Sequence, residues 1–279
     1  MTRAHLQRHR GQDSDNSQSQ TRQSRQRLRR PMIWLILILL LLFLGPALVY
    51  LTGGARLRGD WSTASQASTG LAPDPAQVPE AVVQVYAARA FAWRGAFSVH
   101  TWVAVKPAHA ERYTRYEVIG WRLYRGLSPV SASSDRAPDA QWFGANPWLL
   151  RDVRGAAAEA IIATLLELVA SYPYTDRYNV WPGPNSNTFT AYLARHLPEL
   201  RLSMPANAIG KDYIATGWAL TRSPHGTGIQ LSVSGMLGFL VGPQEVLEIN
   251  VLALTIGLDP LGLAINLPGI GRIGRARRP

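Results

Sequence analysis

The stretch "FSVHTWVAVKPAHAERYTRYEVIGWRLYR" (residues 97–125) places two strand-like runs on either side of a turn-rich segment. Both runs are rich in β-branched and aromatic residues, which favour strands, and "PAHAERYT" between them is typical of a chain reversal. A third run of this kind, "AVVQVYAARA" (81–90), precedes them, with Arg94 and Gly95 in the connection. The sequence therefore predicts strands that pair in sequence order from about Ala81.

Helical patterns follow these strands. "GAAAEAIIATLLELVASY" (155–172) has apolar residues at helical spacing, and a second, shorter helix is predicted over residues 186–197. A long loop is predicted over 126–148. The last part is strand-like again, in "GIQLSVSGMLGFLVG" (228–242) and "EVLEINVLALTIGLD" (245–259). This order predicts an α+β domain in which an antiparallel sheet carries helices on one side.

A hydrophobic segment lies ahead of this domain. "MIWLILILLLLFLGPALVYL" (32–51) contains no charged residue, and twenty helical residues span about 30 Å, the thickness of a bilayer's hydrocarbon core. The sequence predicts a transmembrane signal anchor over 31–51. A cleaved signal peptide is the alternative, because "TGGA" follows the span. Five arginines lie in 22–30, and only Arg56 and Arg58 follow closely. The positive-inside rule then predicts a single-pass protein of the inner (cytoplasmic) membrane, with a cytoplasmic N-terminus and a periplasmic or extracytoplasmic domain.

The net charge of +11 is concentrated at the two ends of the chain. Residues 1–30 carry +6 and the segment Gly271–Pro279 carries +4, which leaves +1 for everything between them. A nearly neutral body argues against a nucleic-acid partner. The predicted organisation is a disordered basic cytoplasmic tail (1–30), the anchor (31–51), a linker (52–80), the folded domain (81–271) and a basic tail (272–279).

The chain contains no cysteine. This excludes disulfides, thiolate catalysis and zinc–thiolate sites. No spacing of metal ligands and no phosphate-binding loop is found, so the sequence predicts neither a metal nor a cofactor.

The segment "NVWPGPNSNTFTAYLARHLPEL" (179–200) raises a functional question at the start of the second helix. Asn185 or Ser186 is suited to cap that helix, since their side-chain oxygens accept the free N–H groups of the first turn. Alternatively, Ser186 is a nucleophile at the positive end of the helix dipole, with the N–H groups of Asn187 and Thr188 binding an oxyanion. Trp181 and nearby tyrosines either line a groove beside Ser186 or pack in the core.

A serine nucleophile needs a base. His100 is the candidate, because the other histidines lie in the tail, in turns or at the end of the short helix. Glu117 on the next strand would orient its imidazole, as the third member of a triad does. The alternatives are a core histidine with satisfied hydrogen bonds and a carboxylate paired with Arg115 or Arg122.

Several stretches together resemble a bacterial family of uncharacterised envelope proteins, domain-of-unknown-function family 3750. They are "VQVYAARAFAWRGAFSVHTWVAVK" (83–106), "RYEVIGWR" (115–122), "YPYTDRYNVWPGPNSNTFTAYLARHLPEL" (172–200), "AIGKDY" (208–213) and "SPHGTGIQLSVSGMLGF" (223–239). The resemblance covers about Val82 to Arg272. It implies an envelope location but no reaction.

A remoter likeness concerns the segment around Ser186. A histidine on an early strand, followed by "NSNTF" at a helix start, is similar to circularly permuted papain-like domains, among them NlpC-type amidases and lecithin:retinol acyltransferase-like enzymes. The likeness implies His100 as base, Glu117 as orienting residue and Ser186 in place of the family's cysteine, flanked by Asn185 and Asn187. The predicted substrate-binding residues are Asn185, Asn187, Thr188 and Trp181.

Two functions remain open from the sequence. One is a hydrolase or acyltransferase acting on an envelope amide or ester, with a cell-wall or lipid substrate. The other is a non-catalytic module that binds peptidoglycan, lipid or a protein partner. The membrane bilayer is an expected partner in both.

Overall fold

The structure, a computed structural model, describes residues 31–55, 58–244 and 246–275. The described residues divide into two compact units, with the boundary between Leu44 and Gly45. Helix α1, Pro31–Leu51, is long and apolar enough to cross a membrane, and is therefore a candidate membrane span near the N-terminus. The predicted tail 1–30 and the last four residues of the predicted basic tail lie outside the described residues.

The first sheet has five antiparallel strands in the order β4-β3-β2-β1-β5. The strands are β1 Val82–Arg89, β2 Val99–Lys106, β3 Thr114–Val118, β4 Val130–Ser133 and β5 Trp148–Arg154. Strands β1 to β3 pair in sequence order as predicted. The third predicted run is a strand only to Val118, and a 3₁₀ helix, Gly120–Arg125, follows it.

The prediction of a loop over 126–148 was wrong in part. Strand β4 lies within this stretch and pairs with β3, and β5 begins at its end. The sequence of β4, "VSAS", contains a single β-branched residue. Its strand conformation therefore depends on the open edge of β3, which supplies the backbone hydrogen bonds, rather than on local propensity.

Two helices pack on one face of this sheet, as the sequence predicts. Helix α2, Ala156–Ala170, buries its apolar stripe, and α3, Ser186–His196, buries Phe189 and Leu193. The odd-numbered side chains of β2, including Val103, join this core. The helices and the sheet form the main hydrophobic core.

The opposite face of the five-stranded sheet is covered by loops. Its second apolar cluster consists of Val82, Tyr86, Ala88, Trp102, Ala104, Tyr113 and Trp142. Part of the predicted linker lies over it, because Ser68 forms a β-bridge with Ala140 and the N–H groups of Leu71 and Ala72 donate to Asp139. This part of 52–80 is thus attached to the domain by specific hydrogen bonds.

The second sheet has seven antiparallel strands in sequence order, β6 to β12. They are β6 Trp218–Arg222, β7 Ile229–Val233, β8 Leu237–Gly242, β9 Val246–Val251, β10 Leu254–Asp259, β11 Ala264–Leu267 and β12 Gly271–Gly274. Each of the two strand-like runs predicted at 228–242 and 245–259 is a hairpin. In the second, Leu252 and Ala253 both have positive φ, as the central residues of a two-residue hairpin turn require.

The two faces of the seven-stranded sheet differ sharply in chemistry. The inner face, which we call the polar face, buries Gln230, Ser232, Glu248, Asn250, Thr255, Asp259 and Asn266. The outer face, which we call the apolar face, is built of three rows of side chains aligned across the strands. The rows are Ile229, Val241, Leu247, Leu258, Ile265 and Ile273; Leu220, Leu231, Phe239, Ile249 and Ile256; and Trp218, Val233, Leu237 and Val251.

Candidate functional site

Asn185 is the residue that caps α3. Its Oδ1 accepts hydrogen bonds from the N–H groups of Asn187 (3.0 Å) and Thr188 (3.2 Å), while the Thr188 hydroxyl accepts from the Asn185 N–H (3.0 Å). This is a complete capping box. The two N–H groups that the sequence predicts to bind an oxyanion therefore donate to Asn185 Oδ1 in this structure.

The side chains of Asn185, Asn187 and Thr188 fasten α3 to its surroundings. Asn185 and Asn187 both donate to the carbonyl of Ile209, at 3.1 and 2.7 Å, and Thr188 donates to the carbonyl of Gly210 at 2.8 Å. All three side chains are buried. The hydrogen bonds show a structural use for residues that the sequence predicts to bind substrate.

The other predicted residues near this helix start divide between surface and core. Ser186 is buried at the first position of α3. Trp181 is half exposed, and its indole N–H donates to the carbonyl of Leu252 at 2.9 Å. Tyr172 packs edge-on against Phe189 in the core. The predicted aromatic groove is thus partly core.

Ser186 and His100 lie on opposite sides of the five-stranded sheet. Thr101 faces α3, since its hydroxyl contacts Asn187 Oδ1 at 3.0 Å and the Thr190 hydroxyl at 2.9 Å. Successive side chains of a strand point to opposite faces, so His100 points away from α3. The structure therefore does not assemble the predicted pair of nucleophile and base.

His100 belongs instead to a buried charged cluster. Its Nε2 lies 2.8 Å from Glu117 Oε2, the same oxygen that accepts from Arg115 at 2.8 Å, and Arg136 reaches the other oxygen at 3.2 Å. The imidazole stacks on Trp142 with the ring centroids 3.5 Å apart. The contact between His100 and Glu117 is the predicted one, the contact with Arg115 is the predicted alternative, and the structure adds Arg136 to both.

The surroundings of the cluster keep Glu117 ionised and His100 neutral. Burial alone would raise the pKa of Glu117, but attraction to Arg115 and the hydrogen bond with His100 outweigh it and lower that pKa to about 2. Burial lowers the pKa of His100, and the two arginines lower it further. Glu117 has the opposite effect on this pKa but is outweighed. The imidazole is therefore neutral near pH 7 and donates its Nε2–H to the carboxylate.

A cleft of about 570 Å³ opens beside this cluster. It lies between the predicted linker and the loop that follows β4, and Arg136 lines it while contacting Glu117. Asp74, Glu111, Arg112 and Asp135 also line it. Sequence reasoning missed the cleft, because its walls come from segments predicted to be a linker and a loop, and they meet only in the folded chain.

A second buried ionic group lies under the polar face. The Lys211 ammonium contacts Asp212 at 2.9 Å and Glu248 at 2.7 Å. Burial would lower the pKa of Lys211, but attraction to the two carboxylates raises it. This group packs against the polar face of the second sheet, where it joins β9 to the segment after α3.

No three His, Asp or Glu side chains of the described residues converge as metal ligands. Glu245, one of two glutamates near β9, lies outside those residues.

Comparison with known proteins identifies the domain but not a reaction. Residues 80–213 match the family described as "Protein of unknown function (DUF3750)". No curated protein and no solved structure matches the chain, so the papain-like likeness gains no support. The match covers the five-stranded sheet, α2, α3 and the Lys211–Asp212 pair, and it ends before β6. Through residues 80–213, just under half of its length, the chain is similar to the DUF3750 family.

Proposed function

We propose that the protein is a membrane-anchored cell-envelope module that binds its ligand without hydrolysing it. The observation that carries this proposal is the placement of Ser186 and His100 on opposite faces of β2. A serine hydroxyl attacks only when a base lies within hydrogen-bond reach. His100 has its Nε2 engaged with Glu117, so its contacts are those of a structural residue.

The membrane anchor and the orientation rest on the first part of the chain. Helix α1 is apolar throughout, and five arginines precede it closely, against two that follow it. This asymmetry supports a cytoplasmic N-terminus and a domain on the far side of the inner membrane.

The cleft beside the His100 cluster is the proposed ligand site. Its carboxylates Asp74, Glu111 and Asp135 are exposed and form no ion pair with another described residue, and Arg112 is exposed among them. Such a lining suits a ligand with both ammonium and carboxylate groups. Cell-wall peptides have this chemistry, so a peptide-bearing fragment of peptidoglycan is the proposed ligand class.

Muropeptides, the disaccharide-peptides released from peptidoglycan, provide the test. The full chain in detergent micelles is titrated with them in a calorimeter, and the recovered muropeptides are chromatographed. We expect binding without cleavage, with equal affinity for Ser186→Ala. The double variant Glu111→Gln/Asp135→Asn should bind at least about tenfold more weakly, since it removes two charges that face the ligand.

Glu167→Gln, which changes an exposed carboxylate on α2, is the matched control and should bind like the wild type. Cleavage products that disappear in Ser186→Ala would overturn the non-catalytic proposal. Unchanged affinity in the double variant would overturn the assignment of the cleft.

A further inference from the structure

We propose that the apolar face of the seven-stranded sheet contacts the acyl chains of the membrane. The face is open in the structure: Leu220 is 62% exposed, Ile229 is 55% exposed and Leu258 is 52% exposed. Arg222, at the end of an edge strand, is the only charged side chain among the described positions of this face. A continuous apolar surface of this extent is rare on a protein surrounded by water.

The sheet is inside-out compared with a sheet of a soluble protein. An antiparallel sheet in water buries its apolar side chains and exposes its polar ones. Here Gln230, Glu248 and Asn266 are buried, while their strand neighbours Leu231, Ile249 and Ile265 point outward. Polar inside and apolar outside is the pattern of protein surfaces that face lipid.

The chain itself brings this sheet close to the candidate membrane span. Residues 45–51, the last turns of α1, belong to the same compact unit as the sheet. Gly45 packs so closely on Pro268 that a Cβ on this glycine would overlap the Pro268 carbonyl oxygen, and a Cβ on Gly269 would lie 2.8 Å from the nitrogen of Pro46. Pro268 and Gly269 connect β11 to β12. The connection between β11 and β12 therefore lies beside residues 45 and 46.

The composition of the apolar face favours lipid over a second copy of the chain. Its rows consist of Leu, Ile and Val, with Trp218 and Phe239 as the aromatic members. The centres of protein–protein interfaces are enriched in Tyr, Trp, Phe, Met and Arg. Trp218 lies at the end of an edge strand, opposite to Arg222, and tryptophan is enriched where a surface passes from hydrocarbon to headgroups.

Single-cysteine labelling tests the proposal, and the absence of native cysteine makes each label unique. Leu220→Cys, Ile249→Cys and Leu258→Cys in the full chain are labelled with an environment-sensitive fluorophore. Each protein is reconstituted in phosphatidylcholine–phosphatidylglycerol vesicles, with or without bromine on the acyl chains. Tyr124→Cys, at a site 92% exposed in a 3₁₀ helix, is the control.

We expect blue-shifted emission and about twofold quenching by brominated chains at the three sheet positions, and neither effect at Tyr124. Blue-shifted emission that bromine does not quench would mean that protein, such as a second copy, covers the face, and it would overturn the proposal. Water-like emission at all three positions would overturn it as well. Unchanged tryptophan emission of the unlabelled variants verifies that they fold.

Discussion

Side chains alternate between the two faces of a strand in both sheets of this protein, but the alternation has opposite results in the two sheets. In the five-stranded sheet both faces are covered, and alternation separates an apolar core under the helices from a charged cluster around Glu117. In the seven-stranded sheet one face is covered, and the covered face is the polar one. Alternation thus tells which side chains share a face, whereas the surroundings of the sheet determine which face is buried.

One of the two lysines in the chain lies in the first sheet and the other packs under the polar face of the second, and the two differ in their partners. Lys106 at the end of β2 donates to the backbone carbonyls of Glu80 (2.7 Å) and Pro107 (3.3 Å), whereas Lys211 contacts two buried carboxylates. The lysine at the second sheet is therefore held by buried ion pairs, whereas the lysine in the first sheet is held by hydrogen bonds to neutral carbonyl groups.

The largest expected effect follows from this difference. Lys211→Met removes the cation that Asp212 and Glu248 share, and loss of one partner from a buried ionic group costs about 3 to 5 kcal/mol in free energy of unfolding. Lys106→Met, the matched variant, should cost about 1 to 3 kcal/mol, because only neutral acceptors lose a donor. Urea unfolding of the full chain in mild detergent measures both. Equal costs would contradict the contrast between the two sheets.

The second prediction concerns the dependence of stability on pH. The lowered pKa of Glu117 means that the unfolded chain takes up a proton more readily than the folded one. Its contribution, about 3 kcal/mol, is therefore complete above the usual glutamate pKa of 4.5 and is lost as the pH falls through about 2. The lowered pKa of His100 acts in the same direction, starting below 6.5. Lys211 has a raised pKa and contributes no loss in this acidic range.

Unfolding free energies measured from about pH 8 down to about pH 2 test this prediction. The wild type should lose stability below the histidine pKa, and His100→Gln should remove that part of the slope. Glu167→Gln, on the exposed side of α2, should keep the wild-type profile. A slope that His100→Gln leaves unchanged would show that the titration arises outside the Glu117 cluster.

The smallest expected effect probes the helix side of the five-stranded sheet. Asn185→Ala removes the cap of α3 and should lower the free energy of unfolding by about 1 to 2 kcal/mol. Ser186→Ala, one position along, should change it by less than about 0.5 kcal/mol, because Ser186 is not the cap. The same urea titrations measure both. A larger cost for Ser186→Ala would indicate a contact of its hydroxyl that stabilises the fold.

Local patterns in the sequence were enough for the elements of the first sheet. The runs around Val85 and Val103 predict strands, and "GAAAEAIIATLLELVASY" predicts a helix that the structure shows at Ala156–Ala170. Asn185 was one of two capping residues proposed from the sequence, and the structure selects it. These predictions hold because propensity, periodicity and capping are properties of neighbouring residues.

Features that depend on distant partners were not predicted. Strands β4, β11 and β12 are only four residues long, and pairing with a neighbour rather than composition makes them strands. The last of them continues to Gly274, past the predicted domain end at Gly271. The hairpin turn at Leu252 and Ala253 lacks the Asn-Gly signal of such turns, so two strands were read as one run.

The candidate site shows the same limit. The contact of His100 with Glu117 was predictable from their places on neighbouring strands. The side of the sheet on which Ser186 lies was not predictable. The composition of a strand shows which side chains share a face, but it does not show which face a helix will cover. Thr101, one residue away from His100, is the side chain that meets α3.

The attachment of the segment 58–79 to the domain limits how far the protein can reach. If the whole predicted linker, 52–80, were a free chain of about 30 residues, it would extend roughly 100 Å and would let the domain move through a wide volume around its anchor. Here Ser68, Leu71 and Ala72 are tied to Asp139, and Gln66 is bound by Arg136. In the proposed anchored protein this segment is bound to the domain and adds no reach, so a ligand has to diffuse to the bilayer surface to be bound.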